Sequence, residues 1–155
     1  FWEAIMEWNE KILESAKQGN LDVIKKCLAN GANVNAKDKK FGTTPLMYAS
    51  YGGNDTKQRL EMVKYLISKG AKVNAKSNCG DTALIRAIFA NDFEIVKFLI
   101  KSGADLNIKN KYGKTALDRA KDYFKLKNQN NNKIIKYLKT YSYTKTKSND
   151  FGMDM

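Results

Sequence analysis

A chain of 155 residues of which 43% are apolar is long enough to fill one core, which excludes disorder throughout. Its apolar runs, such as Ala87 to Ala90 (AIFA), fall far short of the roughly 20 residues that a bilayer-crossing helix needs, so a soluble chain is expected. The net charge of +12 is uneven, running from −1 over residues 1–30 to +6 over 31–76, zero over 77–109 and +7 over 110–155.

A basic excess raises the question of a polyanionic partner. Lys supplies 25 of the 28 basic residues and Asn is abundant, a bias that A- and T-rich coding also produces, so much of the charge reads as compositional. Two cysteines, Cys27 and Cys79, make no disulfide framework, and without any His they make no zinc site. Cys27 reads as a small buried apolar side chain and Cys79 as an exposed loop thiol. A chain opening at Phe1 is expected to be trimmed or processed, with any signal peptide out of view and the compartment left open.

In chain order, "FWEAIMEWNEKILESAK" places Trp2, Ile5, Trp8, Ile12 and Ala16 three or four residues apart, with Glu3, Glu7, Glu10 and Glu14 on other faces. That spacing predicts an amphipathic helix. It serves either as an N-terminal cap or, with Trp2 and Trp8 exposed, as a partner-binding or self-association helix. A partial unit follows in "ILESAKQGNLDVIKKCLANGA".

From there the chain repeats itself. "KVNAKSNCGDTALIRA" at 72–87 returns as "DLNIKNKYGKTALDRA" at 105–120, thirty-three residues on, and "NVNAKDKKFGTTPLMYA" at 33–49 is a third copy with one extra residue. Each unit contains an apolar helical stretch ("VIKKCLANG", "MVKYLISKG", "IVKFLIKSG") that ends at Gly31, Gly70 or Gly103, where glycine takes the left-handed conformation. An extended arm, a second glycine (Gly42, Gly80, Gly113) and a return predict a β-hairpin. Thr44, Thr82 and Thr115 then cap a new helix whose first residue is Pro45, Ala83 or Ala116. Ala49, Ala87 and Ala120 are small enough for close helix approach. Two helix-to-helix turns are enlarged, at 52–58 and 125–132, which loops accept at little entropic cost.

At the C-terminal end, "NKIIKYLKTY" keeps Ile134, Ile135, Tyr137 and Leu138 for packing and Lys133, Lys136 and Lys139 for solvent, as a capping helix would. Residues 142–155 have little periodicity and are expected to form a mobile tail.

The segments "GTTPLMYAS" (42–50), "GDTALIRAI" (80–88) and "GKTALDRAK" (113–121), with "GAKVNAKS" and "GADLNIKN" before the last two, resemble the ankyrin repeat over roughly residues 12–140. The family's usual His is replaced by Met47, Ile85 and Asp118, so a hydrogen bond that typically ties neighbouring repeats is missing. The resemblance implies an all-α solenoid of stacked helix-turn-helix units with protruding β-hairpin loops. It would fill residues 1–141: an N-terminal helix and cap over 1–32, then repeats over about 33–71, 72–104 and 105–141.

It also implies a protein-binding module whose contacts come from hairpin tips and from the end of each first helix. Carried over by position, these are Lys39, Lys40, Phe41 and Thr43 with Tyr51; Asn78, Cys79 and Asp81 with Phe89; and Lys111, Tyr112 and Lys114 with Asp122 and Tyr123. The residue types support the transfer independently, because aromatic rings beside positive charge are what interfaces enrich. Lys37, Lys76 and Lys109 form a ladder, one per hairpin, that reads as solvated scaffold yet adds to a positive side suited to an acidic partner.

The alternative is a weak, sequence-blind polyanion binder that uses the same lysines, since only Arg59, Arg86 and Arg119 could fork onto bases. Catalysis is not expected: there is no His, no phosphate-cradling loop and no metal cluster, and Asp92 and Glu94 read as surface carboxylates on a solvated turn. No cofactor or small-molecule substrate is implied, and a monomer is favoured over a dimer.

Overall fold

The computed structural model describes residues 1–52, 55–129 and 132–150, and among these described residues four helix pairs are joined by three loops. The pairs are α1 (Trp2–Gln18) with α2 (Leu21–Ala29), α3 (Pro45–Tyr51) with α4 (Thr56–Ser68), α5 (Ala83–Phe89) with α6 (Phe93–Lys101), and α7 (Ala116–Leu126) with α8 (Lys133–Asp150). First helices pack on first helices to make an inner row, α1, α3, α5, α7. On the other side α4 packs on α6 and α6 on α8.

Local chemistry sets most of the helix ends. Asn20, Thr44, Asp55 and Asp92 each accept a backbone N–H three residues on, and Thr115 with Asp118 forms a reciprocal capping box. Thr82, expected to cap α5 in the same way, makes no side-chain cap bond; the chain turns into that helix without one. At the other ends Gly31, Gly70 and Gly103 lie at φ of 89°, 91° and 97°. The alanine after each glycine donates its N–H back to Cys27, Leu66 or Leu99 at 3.0 Å, so orphan carbonyls are satisfied.

A continuous apolar spine runs the length of the stack. Ile12, Ile24, Leu46, Met62, Leu66, Leu84, Ile88, Ile95, Leu99, Phe124, Ile134 and Leu138 are all sealed from solvent, and so are Ala49, Ala87 and Ala120, where the inner helices meet. Met47 and Ile85, at the place where a histidine was expected, are buried with them.

Beside the Thr82 cap, four expectations are corrected. The loops at 32–44, 71–82 and 104–115 contain no strand, so the predicted β-hairpins are not seen among the described residues. Two backbone bonds close each tip, one from the Asp38, Ser77 or Asn110 N–H to the Thr43, Asp81 or Lys114 carbonyl (each 3.0 Å) and one back from the Gly42, Gly80 or Gly113 N–H to the Asp38, Ser77 or Asn110 carbonyl (3.1, 2.9 and 3.0 Å), while other polar groups turn sideways to the next loop instead of extending a ladder. The enlarged turns are partly helical: Thr56–Gln58 belong to α4 and Lys125 and Leu126 to α7, while 53–54 and 130–131 lie outside the described residues. Helix α8 continues to Asp150, past the boundary drawn at 141; residues 151–155 of the expected tail lie outside the described residues. Asp92 is buried, because it caps α6 and also pairs with Arg59 of the preceding repeat at 3.0 Å.

Candidate functional site

The three loop tips and the inner helices form one face, and its first part is built around Asp38. The carboxylate accepts from the N–H groups of Lys40 (2.9 Å), Phe41 (2.6 Å) and Thr43 (2.8 Å) and from the Tyr48 hydroxyl of α3 (3.2 Å). Burial by itself raises the pKa of this carboxyl, but the bonds from Phe41, Thr43 and Tyr48 outweigh it and hold Asp38 below its ordinary value. Tyr48 is pushed up, by burial first and then by the charge of Asp38.

Adjacent tips are stitched together. The Asn78 N–H donates to the Phe41 carbonyl at 2.9 Å, and the Lys111 N–H donates to the Cys79 carbonyl at 3.1 Å. Further back, Asn35 and Asn74 bridge successive repeats in the same way: each amide donates to the glycine carbonyl of the next loop and each Oδ1 accepts from the N–H two residues beyond it. The Lys37 ammonium donates to the Lys76 carbonyl at 2.9 Å, so this rung of the lysine ladder is exposed but not idle. The tips therefore form a connected row rather than three separate fingers.

This row leaves the expected contact residues in three conditions. Phe41, Tyr51 and Tyr112 are exposed by 54%, 54% and 69%, and Lys39, Lys40, Asn78, Lys111, Lys114 and Asp122 are exposed with them. Phe89 and Tyr123 are half-buried because they lean on each other, with ring centroids 5.0 Å apart, and Cys79 is half-buried with its sulfur 3.2 Å from the Ser77 hydroxyl instead of lying free. Thr43 and Asp81 are buried inside the loops; the Thr43 N–H is bound to Asp38 and the Asp81 carboxylate accepts from the Asn110 amide.

Several residues on this face escaped the sequence reading. Met6, Glu10, Leu13, Glu14 and Lys17 of α1 line an open groove of about 470 Å³ against Lys37, Asp38, Lys39 and Lys40 of the first loop. Tyr48, Arg86 and Arg119 occupy equivalent places, four residues after the capping threonines, and that register was the signal available in the sequence. The Nε atoms of Arg86 and Arg119 are buried and have no acceptor among the described residues, and the Arg119 guanidinium lies over the Phe89 ring at 4.8 Å.

The family model described as "ankyrin repeats (3 copies)" matches residues 12–110 and 57–150. The chain belongs to the ankyrin repeat family. This ankyrin chain is thus built of repeats that are generally protein–protein interaction modules and typically non-catalytic. It is 34% identical over 81 residues to the ankyrin repeat and SAM domain-containing protein 6 of Rattus norvegicus, 52% of this chain and 9% of that protein. It is 41% identical over 49 residues to protein VAPYRIN-LIKE of Medicago truncatula, 32% of this chain and 10% of that one. A third likeness is 41% identity over 75 residues to alpha-latrotoxin-Lh1a of Latrodectus hasselti, 48% of this chain and 5% of the toxin. The chain thus spans a tenth or less of these relatives. Among its described residues no helix is long and apolar enough to cross a membrane.

Proposed function

We propose that this ankyrin domain is a non-catalytic module that binds a partner protein along its loop tips and inner-helix ends and favours an acidic partner face. The carrying observation is three exposed rings: Phe41 and Tyr112, set among lysines on tips that belong to one hydrogen-bonded row, and Tyr51 at the end of α3. Pre-ordered aromatic anchors lose little entropy on binding, and lysines around them draw an acidic surface in faster. Thr43 and Asp81 drop out of the contact set, since both are buried, and act as supports for the tips.

The partner is to be captured from lysate of the source organism at low and high salt and identified by mass spectrometry. Replacing Phe41 and Tyr112 together by Ala should leave the thermal midpoint nearly unchanged and weaken that complex by roughly 1–4 kcal/mol. A large stability loss with binding intact would reverse the assignment. Binding to a nucleic-acid duplex at micromolar or tighter affinity in moderate salt would favour the polyanion reading instead.

A further inference from the structure

Arg86 and Arg119 stand where the preceding repeat has Tyr48, and the loop residues opposite change with them. In the first repeat the place is closed, because the Tyr48 hydroxyl donates to Asp38. The position of Asp38 is held by Ser77 in the second loop and by Asn110 in the third, so at that one position the carboxylate is missing where the helix carries a guanidinium. Asn110 is itself occupied: its Oδ1 accepts from the N–H groups of Tyr112 and Lys114 and its amide donates to Asp81.

Nearby acids are occupied as well. Asp122, one turn after Arg119, pairs with Lys114 at 3.4 Å, and Asp118 takes the N–H and hydroxyl of Thr115. The contrast is Arg59, the third arginine, which is buried and met by Asp92 at 3.0 Å. Arg86 and Arg119 form no ion pair among the described residues, and that is what separates them from Arg59, since all three arginines have a buried Nε without an acceptor.

We infer that Arg86 and Arg119 form a paired guanidinium anchor for carboxylates of an acidic segment in the partner protein. This rests on the protein-binding reading and adds which chemistry is recognised and where. The planar fork of Arg matches a carboxylate with two parallel N–H bonds, which a Lys ammonium cannot do. Stacking on Phe89, itself braced by Tyr123, orients the Arg119 fork before a ligand arrives. The two arginines hold equivalent positions on inner helices that pack on each other, so one acidic segment laid across both can meet both. Lysines at the tips supply the attracting field; the arginines supply the fit.

The test is an NMR titration of the full chain at moderate ionic strength that follows the arginine Nε–H signals. Hexaglutamate, a short DNA duplex and inorganic phosphate are the three probes. Hexaglutamate should move the Arg86 and Arg119 signals together and leave that of Arg59 in place. The charge-conserving pair Arg86→Lys and Arg119→Lys should weaken hexaglutamate binding by about tenfold or more, the scale of one charge-assisted hydrogen bond, whereas Lys39→Gln with Lys40→Gln should weaken it less. The wild-type titration stands whether or not any variant folds.

The inference is overturned if hexaglutamate leaves both signals unmoved, if the double lysine variant binds it as tightly as wild type, or if only duplex or phosphate moves the signals. The two readings also part on the captured partner. If the Phe41 and Tyr112 replacements weaken that complex and the arginine replacements do not, the anchor falls and the protein-binding reading stands. If neither pair matters, both fall.

Discussion

Asp38 spends both carboxylate oxygens on the first loop, and Asn110 fills the same place in the third with one amide oxygen. Asp38→Asn should therefore keep the loop's shape and remove only what depends on charge. Because the folded-state pKa lies below the unfolded value of about 3.9, this stabilisation is present above that pH and is lost as pH falls through the folded value. The variant is expected to be less stable than wild type at pH 7, with the gap closing in acid below about pH 4; urea unfolding at several pH values measures it. Asp92 teaches a related lesson. In the sequence it stands on an Asn-Asp turn between helices and reads as solvated. Its burial follows from Arg59, thirty-three residues earlier, whose partner it becomes.

At the scale of elements, helices were legible and loops were not. Caps, apolar spacing and terminal glycines act within about four residues of chain, so α2, α6 and α7 could be drawn from their own residues. The hairpins are not confirmed as strand pairs: each loop closes on two backbone bonds at its own tip, and further polar groups pair with Asp38 in the first loop or with the neighbouring loop. Gly80 shows the same sideways constraint. A side chain there would meet the Asn110 Cα at 2.8 Å and the Lys111 nitrogen at 3.0 Å, whereas Gly113, at a similar positive φ, has nothing within 4 Å. Gly80→Ala and Gly113→Ala share a backbone cost of about 1–2 kcal/mol, and Gly80→Ala should cost distinctly more. Parallel denaturant titrations decide this: equal losses would mean that the tips are not held together as described.

For the whole molecule, no helix pair encloses its own apolar side, and stability is the sum of many neighbour contacts. Leu99, fully buried in α6, sits far along the spine from α1. Leu99→Ala should cost about 2–5 kcal/mol. In so short a stack that loss should reach the far end, so the circular dichroism and tryptophan fluorescence transitions, the latter reporting on Trp8 in α1, should fall together. Separate transitions would show the two ends melting independently. Along the same stack Trp2 is 77% exposed while Ile12 and Ala16 are buried, so only the latter half of the α1 apolar stripe belongs to the spine.

The period, the helix order and the apolar spacing that feeds the spine were determined by sequence alone, since each rests on a local pattern that recurs about every thirty-three residues. The tertiary structure alone decided which polar groups are closed and which are left open. Asp92 was claimed by Arg59, the loop tips were tied side to side, and Arg86 and Arg119 were left without an ion pair among the described residues. These outcomes depend on what a residue meets one repeat away, at a distance along the chain where local spacing carries no information.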